Sequence, residues 1–241
     1  MAQRWTITYE VFRKKGSHPP HFDRFKLDVS PDEYVLDGIE RIWAFHDRSL
    51  VFSHACHHST CGACGMRVNG LEKLTCITPI HKVTRDGGVI RVEPLKNFPV
   101  ISDLSVDMSL LYQRMEMVGQ RSVLPIEEEG IPDGLLYGKE QKSGHLRLAD
   151  CIECGLCMSA CPISATTSSY LGPAALAGAH QHSIADPQAA SLVDHADGVW
   201  RCHSAFECTS VCPSNVNPGW RIMDLRKRLI SSRILGIFRR L

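Results

Sequence analysis

The order of apolar and polar positions divides the chain into a β-rich first part and a helical second part. Residues 5–12 alternate apolar and polar side chains and are rich in β-branched and aromatic residues, which predicts a strand. Residues 25–29 are expected to return beside it as a hairpin. Further short strands are predicted at residues 50–53, 66–68 and 89–92, with a turn at Asn69-Gly70. This pattern indicates a small sheet.

Two helices are predicted within and directly after this sheet. The segment Ser30-Pro31-Asp32-Glu33 has a capping hydroxyl, a proline in the first turn and acidic side chains at the positive end of the helix dipole. Its buried face is expected at Val35, Leu36, Ile39, Ile42, Trp43 and Phe45. The second helix is expected from Leu104 to Val118, with one face formed by Leu104, Met108, Leu111, Met115 and Val118.

The rest of the chain predicts helices and one connection. Residues 119–150 are polar, glycine-rich and acidic, which indicates a long surface segment. Helices are expected at residues 170–181, 187–195 and 218–241. The predicted fold class is therefore α+β. A β-grasp domain is expected at residues 1–103, followed by an all-α domain at 104–241.

Composition and charge exclude several classes of function. The chain has 241 residues, enough for two modest domains, and its 27 basic residues are balanced by 26 acidic ones. Bulk electrostatics therefore does not predict a nucleic-acid-binding protein. No apolar run is long enough to span a bilayer, and the first residues lack a signal sequence. The expected location is cytosolic, or the cytosolic face of a membrane.

Eleven cysteines carry the candidate chemistry. Their odd number argues against a plain disulfide framework, and their spacing is that of metal ligands, which require a reducing compartment. The first group follows the plant-type [2Fe–2S] pattern C-x4-C-x2-C with a distant fourth cysteine, and its members are Cys56, Cys61, Cys64 and Cys76. Gly62 and Gly65 suit a tight loop whose backbone N–H groups point at sulfur. A Rieske interpretation through His57 and His58 is disfavoured, because four cysteines are already present.

The second set of cysteines has the run C-x2-C-x2-C-x3-C-P, which wraps cubane clusters. In that run the fourth cysteine binds a different cluster from the first three. A second run ends at Cys212-Pro213, so the two runs are expected to exchange their last cysteines. The predicted ligands of a [4Fe–4S] cluster are Cys151, Cys154, Cys157 and Cys212, and those of a third cluster are Cys161, Cys202 and Cys208.

The third group lacks one thiol. The position where a further cysteine is expected holds Ala205, whose methyl group cannot bind iron. Three ligands predict a [3Fe–4S] cluster, and the alternative is a [4Fe–4S] cluster completed by water or His203. Structural zinc is disfavoured because zinc takes four ligands. Groups of four, four and three account for every cysteine. The spacings predict that the β-grasp domain is of the plant-type ferredoxin kind and that the all-α domain is of the bacterial-type, two-cluster ferredoxin kind.

Three clusters in this order resemble the iron–sulfur subunits of succinate dehydrogenase and fumarate reductase. The resemblance covers nearly the whole chain. It extends to the segments Leu74-Thr-Cys76-Ile-Thr-Pro79, Pro99-Val-Ile-Ser-Asp103-Leu-Ser-Val-Asp107-Met108, Tyr170-Leu-Gly-Pro-Ala-Ala-Leu176, Arg201-Cys-His-Ser204 and Asn217-Pro218.

The resemblance implies partners and a direction of electron flow. It implies a flavoprotein subunit that carries FAD and oxidises succinate, and membrane-anchor subunits with quinone and possibly haem, at the cytoplasmic side of a bacterial membrane. Electrons would pass singly from FAD through [2Fe–2S], [4Fe–4S] and [3Fe–4S] to quinone. No nucleotide-binding G-x-G-x-x-G motif is present, so no dinucleotide domain is expected. No Ser, His and Asp set and no pair of acids has a recognisable catalytic spacing, so no dicarboxylate site is expected on this chain.

The resemblance also implies that part of this chain lines the quinone pocket. The candidate residues are Pro162, Ser164 and His203. Here the sequence departs from the family, because Thr166 stands where a tryptophan is common. The sequence therefore predicts either that quinone binds elsewhere in the anchor or that the electron leaves through another acceptor.

The basic C-terminal segment and two rival functions complete the expectations. Residues 214–241 hold seven basic side chains and one acidic one among apolar positions, which predicts a membrane-facing amphipathic helix or, alternatively, a helix packed on its own domain. The rival functions are a fumarate reductase or related quinone-linked dehydrogenase subunit and, more distantly, an iron–sulfur sensor that binds DNA.

Overall fold

A computed structural model describes residues 4–119, 151–182 and 187–238. Nearly all of the segment expected to form a long connection, residues 119–150, lies outside the described residues. The predicted α+β fold class is confirmed, with a sheet domain first and a helical region after it.

The first domain is built on a five-stranded sheet with the order β2-β1-β5-β3-β4. Its strands are β1 (Trp5–Arg13), β2 (His21–Val29), β3 (Gly65–Val68), β4 (Leu71–Leu74) and β5 (Val89–Glu93). β1 pairs with β5 in parallel, whereas its pairing with β2 is antiparallel. Helix α1 (Val35–Phe45) covers one face and buries its Val35, Ile39 and Ile42 side chains against the sheet residues. This is the β-grasp arrangement that the sequence predicts.

Helix α1 starts later than the sequence predicts. Residues 31–33 form a turn and a bend, and Tyr34 pairs with Pro79 in an isolated β-bridge, because carbonyl groups of this segment bond to the segment around Ile80 rather than within a helix. Glu33 O accepts from Ile80 N at 2.9 Å, and Pro31 O accepts from His81 N at 3.0 Å. The helix is capped instead by Asp37, whose carboxylate accepts from Tyr34 N at 2.9 Å. The start predicted at residues 30–33 is therefore wrong.

The C-terminal turn of α1 does not bury the aromatic residues assigned to its inner face. Trp43 is 39% exposed and Phe45 is 81% exposed. The Arg48 guanidinium lies over the Trp43 ring, 4.1 Å from its centroid. The predicted burial holds for the four aliphatic residues and is wrong for these two.

The strand predicted at residues 50–53 does not form. Val51 nevertheless bonds as an extended residue would: its N–H donates to Asp103 Oδ2 at 3.0 Å, and its carbonyl accepts from Leu104 N at 3.1 Å. Asp103 and Leu104, the partners of Val51, lie in the turn of a small hairpin formed by β6 (Val100–Ser102) and β7 (Ser105–Val106). The helix predicted from Leu104 therefore begins only at Ser109, as α2 (Ser109–Met117), where Asp107 Oδ1 accepts from Ser109 N at 2.9 Å.

The second part of the chain consists of helices and turns. The described helices are α3 (Leu156–Ala160), α4 (Pro162–Thr166), α5 (Pro173–His182), α6 (Pro187–Val193), α7 (Glu207–Ser210) and α8 (Pro218–Phe238). The predictions at 170–181, 187–195 and 218–241 match α5, α6 and α8 within a few residues. One apolar core joins both parts of the chain, since Leu36, Leu74 and Leu95 of the sheet domain belong to the same cluster as Leu156 and Leu176.

Helix α8 packs on its own domain through its described side chains. Ile222, Leu225 and Leu229 are buried, whereas Ile230 is exposed. Four of the basic residues assigned to a membrane-facing surface bond to the chain itself: Arg221 to Val216 O, Arg226 to Val199 O, Arg228 to Asp224 and Arg233 to Asp194. Up to residue 233 the packed alternative therefore describes this helix. No helix in the described part of the chain combines the length and the apolarity that crossing a membrane requires.

A buried charge network ties β1 to the hairpin. The Arg13 side chain is 6% exposed, and its Nη1 lies 2.8 Å from Asp23 Oδ2 and 2.5 Å from Asp47 Oδ2. Its Nε lies 3.3 Å from the fully buried carboxylate of Asp103. We expect Arg13→Met to lower the free energy of unfolding by roughly 3–5 kcal/mol, because a buried carboxylate loses its cation.

The matched control is Arg24→Met, which breaks the exposed pair between Arg24 and Glu10. This control is expected to cost less than about 1 kcal/mol. Urea unfolding followed by circular dichroism measures both changes. Equal decreases in the free energy of unfolding of the two variants would show that burial of the Arg13 network does not contribute to stability.

Candidate iron–sulfur sites

The structure brings the first four cysteines to one end of the sheet domain. Cys56 and Cys61 lie in an outer loop, whereas Cys64 and Cys76 are buried. Thr75 joins the two buried positions, since both its N–H and its hydroxyl donate to Cys64 O, at 3.2 and 3.0 Å. The thiols of Cys56, Cys64 and Cys76 lie close enough to one another to interact electrostatically.

The two ends of this group differ in their electrostatic surroundings. Cys56 Sγ accepts from the backbone N–H of His58, Thr60 and Cys61 at 3.3–3.5 Å. These donors, His58 first, lower the pKa of the Cys56 thiol to about 6. Burial, followed by the neighbouring Cys64 thiol, raises the pKa of Cys76 to about 12. The loop thus favours the thiolate at Cys56, while Cys76 needs a cation to ionise.

Two glycines let the first cysteine loop touch the second. A Cβ atom on Gly62 would lie 2.5 Å from Ile152 O, and one on Gly65 would lie 2.9 Å from Cys154 O. Gly62 also has φ +73°, in the left-handed region. The sequence predicts a tight loop whose backbone N–H groups point at sulfur, and the described donors to Cys56 Sγ are His58, Thr60 and Cys61. The structure shows in addition that the two glycines allow close approach between the two cysteine loops.

The second group surrounds a small, mostly apolar cavity of about 30 Å³ in the helical region. Four thiols line it together, those of Cys151, Cys154, Cys157 and Cys212. Burial, followed by the Cys151 and Cys212 thiols, raises the pKa of Cys154 to about 12. Burial and three nearby thiols of this group also raise the pKa of the Cys157 thiol. Thiol donors that converge in a dry cavity fit a metal cluster, because bound iron would offset the repulsion between thiolates.

The third group surrounds another small cavity, of about 20 Å³, lined by Cys161, Cys202 and Cys208. Ala205 lines the same cavity, so the position that lacks a thiol does face this space. Burial and the nearby Cys161 thiol raise the pKa of Cys208 to about 12. The buried Tyr170 hydroxyl lies against all three thiols, and its pKa is raised by burial and then by their charge. The donor set fits a cluster with three thiolate ligands.

Short helix α3 separates the second group from the third. Cys157 lies on it and Cys161 directly follows it. Asn97 of the sheet domain caps this helix, because its Nδ2 donates to the carbonyls of Met158, Ser159 and Cys161 at 2.8–3.1 Å. Ser159 Oγ in turn donates to Glu72 Oε1 at 2.9 Å. Side chains of the first domain thus position the cysteines of the second.

Arg226 holds the segment that carries Cys202. Its guanidinium donates to Val199 O at 2.8 Å, to Trp200 O at 3.3 Å and to Cys202 O. A cation at the end of this short helical turn satisfies carbonyl groups that have no partner within the turn. The sequence predicts that Arg226 belongs to a basic surface. This inward role could not be predicted, because nothing in the sequence near Arg226 indicates a partner 24 residues earlier.

The quinone-side candidates do not all lie together. Pro162 and His203 are exposed and line the third cavity, whereas Ser164 is absent from its lining. Thr166 is exposed, and its hydroxyl donates within α4 to Ile163 O at 3.3 Å. His57 and His58 lie in the outer loop, where His57 faces Glu40 at 3.1 Å.

Comparison with known proteins matches the two parts of the chain to two domain families. Residues 8–113 match a 2Fe-2S iron-sulfur cluster binding domain, and residues 147–216 match a 4Fe-4S dicluster domain.

Full-length relatives cover almost the whole chain. The fumarate reductase iron-sulfur subunit of Mycobacterium tuberculosis is 33% identical, over 92% of this chain and 91% of the relative. The mitochondrial succinate dehydrogenase [ubiquinone] iron-sulfur subunit of Candida glabrata is 27% identical, over 92% and 90%. A chain of the Mycobacterium smegmatis Sdh1 complex in the apo form has the same fold, with a TM-score of 0.75, 22% identity and coverage of 96% of this chain and 98% of that one.

Loss of Arg226 is expected to loosen the Cys202 segment. In Arg226→Leu, several hydrogen bonds from a charged donor are removed, and each is worth about 1.5–3 kcal/mol. We expect loss of the iron held by the third group while the other two groups keep theirs, measured by iron analysis and low-temperature EPR. The control Lys227→Leu changes the exposed neighbouring residue and should keep all its iron. Full iron content in Arg226→Leu would contradict the positioning role.

Proposed function

Since the chain belongs to the family of iron–sulfur subunits of fumarate reductases and succinate dehydrogenases, we propose that it is the electron-transfer subunit of a membrane-bound succinate dehydrogenase. The observation that carries the proposal is the serial placement of the three thiol groups. The first group's loop touches the loop of Cys154 through Gly62 and Gly65, and Cys157 of the second group lies near Cys208 of the third.

Each thiol group is assigned one cluster. Cys56, Cys61, Cys64 and Cys76 would hold [2Fe–2S], Cys151, Cys154, Cys157 and Cys212 would hold [4Fe–4S], and Cys161, Cys202 and Cys208 would hold [3Fe–4S]. When bound, such clusters carry single electrons between a flavin that gives up two and a quinone. The chain itself excludes water from the second and third groups through its apolar cavity walls, and it donates N–H groups to sulfur. One such bond joins Ser204 N to Cys202 Sγ at 3.4 Å.

The partners follow from the two ends of this series. A flavoprotein subunit with FAD would dock near the exposed loop of Cys56 and Cys61. Membrane-anchor subunits, with quinone and possibly haem, would dock near the third group, where Pro162 and His203 are exposed at the cavity. This placement would make the chain a peripheral subunit on the cytoplasmic side of a bacterial membrane. Ser164 and Thr166 are weaker candidates for the quinone side, because neither lines that cavity.

Fumarate reduction is the second candidate function. It is favoured by the fumarate reductase relative, which is the more similar of the two. The sensor alternative loses its support, because the basic residues of α8 that it requires include Arg226, Arg228 and Arg233, which bond to the chain itself.

The decisive experiment is low-temperature EPR of the purified complex that contains this chain. We expect a [3Fe–4S] signal from the oxidised protein and a [2Fe–2S] signal after reduction with succinate, followed by reoxidation with a quinone. Comparison of succinate oxidation with fumarate reduction by the same preparation distinguishes the two directions. If succinate reduces no cluster, the proposed function is wrong.

Ala205→Cys tests the three-ligand assignment directly. Because Ala205 lines the third cavity, a thiol there is expected to convert the cluster toward [4Fe–4S], with loss of the oxidised-state EPR signal and a lower reduction potential. Ala205→Ser is the control of similar size, since a hydroxyl is a poor ligand for cluster iron. An unchanged signal in Ala205→Cys would show that residue 205 does not face the open corner.

A further inference from the structure

A cluster of three polar side chains lies beside the first cysteine loop and contains no cysteine. Glu40 extends from the middle of α1, and His54 and His57 lie on either side of Cys56 in the chain. Glu40 Oε1 is 3.0 Å from His54 Nδ1 and 3.1 Å from His57 Nε2. The two imidazole nitrogens are 3.2 Å apart. Three potential metal-ligand atoms thus form a nearly equilateral triangle.

The size of this triangle is that of one face of a metal coordination sphere. Zinc is bound by imidazole nitrogen and carboxylate oxygen at about 2.0–2.2 Å, so neighbouring ligand atoms of a tetrahedral site lie about 3.3 Å apart. The observed separations are shorter by only a few tenths of an ångström. Two imidazoles and one carboxylate are a ligand set that zinc and related divalent ions prefer.

Hydrogen bonding alone leaves part of this cluster unsatisfied. Glu40 Oε1 is shielded from solvent, and within the described part of the chain it makes no hydrogen bond of good geometry, although both imidazoles are close. A shielded carboxylate oxygen that has two close imidazoles but no well-directed hydrogen bond costs free energy, which a bound cation would remove.

The surrounding structure holds the three side chains in place. The Phe52 ring stacks on His54, with centroids 5.0 Å apart and ring planes at 16°, and Phe52 itself packs against both apolar cores. His57 has φ 60°, so a left-handed turn directs it toward Glu40. The partial exposure of both imidazoles leaves room for an ion to enter and for water to complete its coordination.

We propose that Glu40, His54 and His57 bind one divalent transition-metal ion of the zinc class, separate from the iron–sulfur clusters. The positive charge of the ion would lie within one or two residues of Cys56. It would therefore stabilise the extra electron of a reduced cluster in that loop. This redox effect, unlike the metal site itself, rests on the proposed [2Fe–2S] assignment.

The test uses the purified holo-complex with its iron intact, treated with a chelator and then titrated with zinc sulfate in a calorimeter. We expect one zinc per chain beyond background, with iron content unchanged. Glu40→Gln, His54→Ala and His57→Gln should each weaken zinc binding by roughly 100-fold or more, because each removes one of three ligands. The matched control is His81→Gln, since His81 lies outside the triangle, with its Nδ1 3.0 Å from Pro31 O and 3.4 Å from Asp32 Oδ1. It should bind zinc as the wild type does.

Two outcomes would overturn the site. Absence of zinc binding to the wild type would mean that the three side chains interact only with one another, by hydrogen bonds and ion pairs. Equal binding by wild type and all three variants would place the zinc elsewhere, on thiols or surface histidines. Iron content and thermal unfolding of each variant show that it has folded. A zinc-dependent rise in the [2Fe–2S] midpoint potential is expected in the wild type and in His81→Gln, and its absence with zinc bound would overturn the redox role alone.

Discussion

The structure depends on the short helix α3, which must place two neighbouring cysteines in different sites. Only three residues separate Cys157 from Cys161, yet the first thiol faces the second cavity and the other faces the third. This is possible because the helix ends at Cys161, where the chain turns and proline begins the next helix. Asn97 satisfies the carbonyl groups that this abrupt end leaves without helical partners. The sheet domain is therefore part of the site.

Buried thiols make the fold and its clusters interdependent. The pKa of Cys154, of Cys157 and of Cys208 is raised, first by burial and then by neighbouring thiols. Ionisation of several thiols in so small a volume requires a compensating positive charge, which iron would supply. Cys56 lies at the other extreme, because it is accessible and accepts three backbone N–H bonds. Glu40 and two partly exposed histidines lie beside it, so ions in solvent can reach this region.

Three arginines form hydrogen bonds or ion pairs that join distant segments inside the protein. Arg13 joins three carboxylates beneath the sheet domain, Arg114 is buried and donates to Ser168 O, and Arg226 gathers three carbonyl groups before the Cys202 loop. A guanidinium can do this because its several N–H donors reach different acceptors at once. Such residues look like surface charge in a linear sequence, although each bonds to groups that lie far from it in the chain.

The sequence by itself determined the fold class and the grouping of the cysteines into candidate ligand sets, because alternation, helical periodicity and cysteine spacing are local properties. It also identified Ala205 as the residue in place of a thiol. Helix starts at Ser30 and Leu104 were wrong, since the carbonyls of Pro31 and Glu33 bond to the segment around Ile80 and residues 105–106 join a hairpin. Only the tertiary structure decided the contact of Gly62 with Ile152, the cap by Asn97, the inward role of Arg226 and the triangle of Glu40, His54 and His57. Each of these joins residues that are distant in sequence, so their geometry depends on how the packed elements meet.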